Sequence, residues 1–291
     1  VSGAELPTVG LAITTIGRPA LAGLLRSAAE SLVPPVAVAV ADQSPPGTKL
    51  PTGPVDPPYE LRVVPSEGGA SAGRNDAVRA LLGRAEVLGF PNDDSSLPAG
   101  TLGAVAAAFR APDVVAVACT LVEQGTPRFQ LPPAGTALDD RSVWRAIEPS
   151  MFIRAAAFDA VGGFRADLGT GAPTPWQSGE GTDLLLRLMS AGGRVLSRPD
   201  LEVDGPGERR SLAPDALVRK HRAYARGTGH VYRSHPYSSL VRWRTVAGPW
   251  LHPASHDPDL RLSLRLAIAR SVGRVEGLLG RVLPGSTQRW Q

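Results

Sequence analysis

Ala85-Glu86-Val87-Leu88-Gly89-Phe90-Pro91-Asn92-Asp93-Asp94-Ser95 is the stretch that decides the fold. A short apolar run ends in two adjacent carboxylates, and a helix start follows at Pro98. An apolar run of this length bounded by turn residues reads as a strand buried on both faces. Two carboxylates at the end of a buried strand are unfavourable unless charge or hydrogen bonds compensate them. A divalent cation that also carries a phosphate supplies that compensation. Asp-Asp-Ser is also turn and N-cap chemistry, so the triplet by itself leaves both readings open.

The flanking sequence repeats the pattern. Val9 to Thr14, Val36 to Ala41, Tyr59 to Val64, Glu86 to Phe90 and Val114 to Cys119 read as strands. Pro19 to Ser31, Gly73 to Leu82 and Pro98 to Phe109 read as the helices between them. In the first helix Leu21, Leu24, Leu25 and Ala28 fall on one side. Alternation at this spacing predicts an open, mostly parallel α/β sheet with right-handed crossovers and ligands beyond the carboxyl ends of its strands. Asp42 and Asp93-Asp94 both stand at such ends. Thr14-Thr15-Ile16-Gly17-Arg18-Pro19 is not the glycine-rich string of a dinucleotide fold, and GxxxxGK[ST] does not occur. Further on, residues 120–146 read as irregular and Thr182 to Ala191 as a helix. Gly192 to Ser197 leads into a strand, and two tail helices run from about Asp215 to Thr228 and from about Asp259 to Leu283.

The 291 residues, 43% of them hydrophobic, suffice for one large core with an appendage. A single cysteine, Cys119, excludes an internal disulfide or thiolate cluster, and its apolar setting predicts an inert buried thiol. Neither a signal peptide nor a spanning apolar segment is visible, so the expected location is cytoplasmic, with the inner membrane surface as an alternative. The Arg-rich, Ala/Gly/Pro-heavy composition fits a high-GC bacterium. Charge is uneven: the first 217 residues sum to −6 and the last 74 to +10. An acidic body without helix-turn-helix or zinc motifs argues against nucleic acid. The basic helix near Leu260–Val272 predicts intramolecular docking, a homodimer or peripheral membrane contact.

Four signatures in order carry a resemblance. They are Ala12-Ile13-Thr14-Thr15-Ile16-Gly17-Arg18-Pro19, Val40-Ala41-Asp42-Gln43-Ser44, and Gly68 to Asn75 followed by Asn92-Asp93-Asp94. The fourth is Phe158-Asp159-Ala160-Val161-Gly162-Gly163-Phe164 followed by Ser178 to Leu188. The set resembles inverting family-2 glycosyltransferases of the GT-A fold over about residues 8–235. The resemblance implies an α/β GT-A type sheet flanked by helices. Residues 1–120 would form a nucleotide-sugar half, 121–214 an acceptor and catalytic half, and 215–291 a helical basic extension.

It also implies roles. Thr14, Thr15, Arg18, Asp42, Arg74, Asn75, Asn92 and Asp93 would serve the nucleotide-sugar donor, with Asp42 accepting from the base and Asn75 fixing a turn. Asp94 would take a divalent cation, Mg²⁺ or Mn²⁺. Trp176 and Gln177 precede the catalytic helix and would face a carbohydrate or small-molecule acceptor; Trp176 could equally cover the core. The family's base is the Asp of a Glu-Asp pair, and here the pair reads Glu180-Gly181. Glu180 is taken as the base, with Asp183 three residues on as the second candidate. Gly181 also keeps open a catalytically weak or inactive binding protein of the same fold. The family's later histidine has no counterpart at Asp204-Gly205-Pro206-Gly207, and His221, His230 and His235 are expected to be exposed.

Overall fold

A computed structural model describes residues 5–51, 53–206, 212–251 and 260–283. The chain divides into two compact units. The first comprises the chain up to Glu67, Ala72–Phe164, and the chain from Leu184 through the last strand. The second comprises Gly68–Ser71, Arg165–Asp183 and the helical C-terminal part.

The first unit is a sheet covered by helices. Its elements are β1 (Val9–Thr15), α1 (Leu21–Ala29), β2 (Ala37–Asp42), β3 (Glu60–Pro65), α2 (Ala70–Leu81), β4 (Val87–Gly89) and α3 (Thr101–Ala108). There follow β5 (Val114–Glu123), β6 (Thr126–Pro127), β7 (Met151–Arg154), α4 (Ala155–Ala160), α5 (Glu180–Ser190), which belongs to this unit from Leu184 on, and β8 (Arg194–Asp204). The sheet order is β3-β2-β1-β4-β7-β5-β6, with β8 pairing β5. β1, β2, β3 and β4 are parallel, the register running Thr15 opposite Asp42 and Asp42 opposite Pro65. β7 lies antiparallel between β4 and β5, so the sheet is mixed where the alternating pattern predicted a mostly parallel one. Apolar periodicity reports burial, not strand direction, and β7 is reached through two short 3₁₀ turns instead of a crossover helix. Arg154 fixes the end of β7 by donating to the carbonyls of Val114, Phe109 and Ala111.

β1 and β2 are buried almost throughout because both faces are covered. The stripe Leu21, Leu24, Leu25 and Ala28 of α1 is buried in the same core as Leu11, Ile13, Val38 and Val40. At Gly89 a Cβ would stand 2.6 Å from Phe152 Cε1 and 2.9 Å from Leu11 Cδ2, so glycine lets β7 pack against β4. Phe90, Phe158 and Phe164 form an aromatic cluster at 5.0–5.6 Å between centroids.

The second unit contains α6 (Pro214–Ser234), α7 (Ser239–Leu251) and α8 (Leu260–Leu279). α6 is longer than the sequence pattern gave, and α7 was not anticipated. α8 packs closely on α6 because glycines remove side chains where the backbones meet. A Cβ at Gly273 would lie 2.4 Å from the Arg222 carbonyl oxygen, and one at Gly277 2.1 Å from that of Arg226. Glu276 is fully buried in this contact and accepts from Arg222 Nη2 at 2.5 Å and from Arg226 Nε at 2.5 Å. Burial works against its charge, but the two guanidiniums and the Leu283 amide outweigh it and hold the carboxyl below its ordinary range. Among the alternatives for the basic tail helix, α8 therefore shows intramolecular docking. No helix among the described residues is long and apolar enough to cross a membrane.

Candidate functional site

Because β1 and β4 are parallel neighbours, the residues that follow them emerge at one edge of the sheet. Thr15 closes β1 and is 2% exposed. Its Oγ1 donates to Asp93 Oδ2 at 2.7 Å and accepts from the Gly17 amide at 3.1 Å. Gly17 turns the chain at φ 84, in the left-handed region that favours glycine. The turn brings Arg18 back over the carboxylates, where its Nη1 lies 3.2 Å from Asp93 Oδ1 and 3.2 Å from Asp94 Oδ2.

Asp93 is buried, and that burial pushes its carboxyl above the usual range, with Asp94 adding repulsion. The Thr15 hydroxyl and Arg18 oppose the shift. Asp94 differs. Its Oδ2 meets Arg18, while its Oδ1 is buried without a hydrogen-bond partner. A buried carboxylate oxygen left unsatisfied is the feature a cation resolves. Among the described residues no three His, Cys, Asp or Glu side chains converge as a metal-binding group.

The same edge carries the other donor candidates. Asp42 Oδ1 accepts from the Ser44 amide at 2.9 Å, a local turn closure. The Thr14 methyl lies where a Cβ on Gly73 would come within 2.5 Å, so glycine admits α2 at that point. Arg74 is 5% exposed; its Nη2 lies 3.3 Å from Asn92 Oδ1 and its guanidinium 5.5 Å from the Phe164 ring centroid. Asn75 donates to the Phe164 carbonyl at 2.8 Å and accepts from its amide at 3.0 Å, which ties α2 to the distant Phe164 backbone. Asp204, the last residue of β8, exchanges two backbone hydrogen bonds with Ser96 at 2.8 and 2.9 Å. That bridge sets a third acidic residue beside the turn.

In the second unit, α5 begins with Glu180, 7% exposed. A Cβ on Gly169 (φ 103) would come within 2.8 Å of the Glu180 carboxyl carbon, so the loop passes close over it. Asp183 is 1% exposed; its Oδ1 lies 2.9 Å from His235 Nε2 and 3.9 Å from Arg165 Nη1. The preceding loop is held by Gln177, which accepts from the Gly171 amide at 2.9 Å and donates to the Ala172 and Thr174 carbonyls at 2.9 and 2.5 Å. Trp176, 9% exposed, stacks on His230 at 4.7 Å and 17°. Burial, with Arg165 adding repulsion, lowers the His230 pKa. The expectation that the tail histidines are exposed is corrected here. His235 is buried against Asp183, His230 is half-buried against Trp176, and burial beside Arg270 lowers His221 to about 4.

No family model matches this chain, and no curated protein matches it in sequence. Solved structures do resemble it. Mannosyltransferase PcManGT from Pyrobaculum calidifontis, in complex with GDP-Man and Mn²⁺, superposes with a TM-score of 0.60 at 16% identity, over 95% of this chain and 88% of that one. S. aureus TarS 1-349 in complex with UDP-GlcNAc gives a TM-score of 0.55 at 14% identity, over 94% and 92%. A longer TarS chain gives 0.54 at 14% identity, and this chain spans 55% of its length. At these identities the likeness is one of fold. The architecture is GT-A-like: a mixed sheet flanked by helices, with a C-terminal helical bundle rich in ion pairs.

Thr15, Arg18, Asp93 and Asp94 are brought together by direct contact, and Arg74 with Asn92 lies on the same turn. Sequence reasoning missed His235 as the partner of Asp183, and Asp204 as a neighbour of the acidic turn. His235 follows a helix whose true length was hidden by Gly227 and Gly229. Gly227 marks a close approach: a Cβ there would come within 2.1 Å of the Ser178 carbonyl oxygen.

Proposed function

We propose that this chain is an inverting glycosyltransferase of the GT-A fold that moves a sugar from a nucleoside-diphosphate sugar to an acceptor hydroxyl, with Mg²⁺ or Mn²⁺ as cofactor. The observation that carries the reading is the acidic turn, with Asp93 locked by Thr15 and Arg18 while Asp94 keeps one buried oxygen unsatisfied. The fold likeness to proteins solved with GDP-Man and Mn²⁺ and with UDP-GlcNAc supports it.

Each side chain then has a role. Asp94 offers Oδ1 to the cation, which when bound neutralises the leaving diphosphate. Asp93, held by two partners, accepts from the donor's ribose or sugar hydroxyls, and Arg74, bonded to Asn92 of the same turn, serves the donor beside it. Asp42 serves the base through the oxygen its turn leaves over. Glu180 takes the acceptor proton as the acceptor oxygen bonds to the anomeric carbon, and the bond to the diphosphate oxygen breaks with its electron pair. Asp183, engaged by His235, orients the helix start, while Trp176 and Gln177 hold the acceptor loop in shape.

Calorimetry with UDP-, GDP- and dTDP-sugars, with and without Mn²⁺, tests the donor assignment, and donor hydrolysis tests turnover. Cation-dependent binding with turnover is expected. Gly181, where the family places its base, favours a second reading, a binding protein without catalysis. Cation-dependent binding with neither transfer nor hydrolysis establishes that second reading; no binding of any donor refutes both.

A further inference from the structure

Among the described residues, the C-terminal helices leave an apolar surface uncovered. On α7, Leu240, Trp243, Ala247 and Trp250 recur at helical spacing along one stripe, and Leu240, Trp243 and Trp250 are 70%, 60% and 52% exposed. Pro249, on another side of the helix, is buried. On α8, Leu260, Leu264 and Ile268 follow at intervals of four and are 82%, 49% and 45% exposed. The two stripes adjoin, because Trp250 Nε1 donates to Ser271 Oγ at 2.9 Å, one turn after Ile268. Exposed large apolar residues scattered singly need no explanation, but a run of this extent with two tryptophans does.

The flanking charge identifies the occupant. Arg244 adjoins Trp243, Arg261 adjoins Leu260, and both are exposed. The chain after Leu217 carries +10, and with Arg222 and Arg226 held by Glu276 inside the bundle and Arg265 by Asp215 the tail still keeps an excess of arginines. A second copy docking face to face would oppose two such fields. An anionic bilayer would instead meet them with opposite charge and accept indole rings at its interface. We propose that α7 and the start of α8 form a monotopic docking face for anionic phospholipid membranes, with the apolar stripe entering the headgroup boundary and the arginines meeting lipid phosphates. The inner stripe of α8, with Leu266 and Ala269, faces α6 and takes no part.

Flotation of the full chain with phosphatidylcholine vesicles, alone or mixed with phosphatidylglycerol, tests this. Capture by the mixed vesicles, weakened by salt, is expected, and Leu240→Ser with Trp243→Ser should lower the partition coefficient by about tenfold or more. Arg244→Glu leaves the apolar stripe intact and should weaken capture by the anionic vesicles alone. Trp250→Phe keeps the apolar ring and should retain capture. The proposal is overturned if the wild type does not float, if neutral vesicles capture it equally, or if the double variant floats unchanged. It is equally overturned if sedimentation shows a dimer that the double variant abolishes while vesicles capture nothing.

Discussion

Thr15→Val keeps the shape of a 2%-exposed side chain and removes its hydroxyl. Two hydrogen bonds go with it, the 2.7 Å bond to Asp93 and the 3.1 Å bond from the Gly17 amide. A bond to a charged acceptor contributes about 1.5–3 kcal/mol and a neutral one about 0.5–1.5, so the expected loss is about 2–4 kcal/mol. For a domain of this size each kcal/mol lowers the melting temperature by about 2–4 °C, so a fall of at least about 4 °C follows. The loss is also pH-dependent. The folded-state pKa of Asp93 is already raised by burial, so the folded chain holds this proton more tightly than the unfolded chain. Stability contributed by that proton is present below the ordinary carboxylate range and is lost as pH rises through the raised value. Removing Thr15 raises that value further, because the hydroxyl is one of the groups opposing burial. The deficit of the variant should therefore be largest at neutral pH and shrink on acidification. Thermal melts of both chains from about pH 4 to pH 8 measure it. An unchanged melting temperature at neutral pH, or a deficit constant across the range, would refute the reasoning.

Asp94→Asn should abolish the Mn²⁺-dependent part of donor binding; equal calorimetric affinity with and without that carboxylate would sink the cation assignment. Glu180→Gln should lower kcat by about 10²- to 10⁴-fold with donor affinity retained, and single-turnover kinetics at wild-type rate would remove Glu180 from the base role. Glu276→Ala leaves Arg226, 3% exposed, without its anion and should cost about 3–5 kcal/mol. Because the Glu276 pKa is lowered, its stabilisation is present above the ordinary carboxylate range and lost as pH falls through the depressed value, which acid titration of helicity follows. Gly277→Ala meets backbone atoms of α6 and should destabilise by about 1–3 kcal/mol in chemical denaturation; a neutral result would contradict the close helix contact.

The parallel half of the sheet was legible because its strands are apolar runs and its helices carry single stripes. β1, β2, β3 and β4 all fell within a residue or two of their observed ends. The position of the acidic turn was legible for a related reason, since it directly follows a buried apolar strand. What the sequence concealed depends on direction and long-range pairing. The orientation of β7 is set by its neighbours, and the extension of β8 to Asp204 is set by its register with β5 and its bridge to Ser96. α7 was hidden by Pro249 and by a stripe that carries two tryptophans without burying them. The charge count of the tail did not show which arginines are paired within it: Arg222 and Arg226 are neutralised internally by Glu276.

The proposed function also predicts how a cation and a donor would cooperate at the acidic turn. Arg18 bridges Asp93 and Asp94, which leaves Asp94 Oδ1 as the one oxygen of the pair that is buried without a partner. Mg²⁺ asks for about six oxygen ligands, and a single carboxylate oxygen holds it weakly. Among the described residues no three-ligand cluster is found, so the proposed cation would take its remaining oxygens from a diphosphate and water. On the proposed reading, cation and donor affinities would be linked, each raising the other by the same factor. Titrating Mn²⁺ into the chain alone should show weak binding, and adding a nucleoside diphosphate should tighten it at least about tenfold, a coupling of about 1.4 kcal/mol. Tight binding of Mn²⁺ in the absence of diphosphate would mean that the ligand set lies elsewhere and that Asp94 does not anchor it.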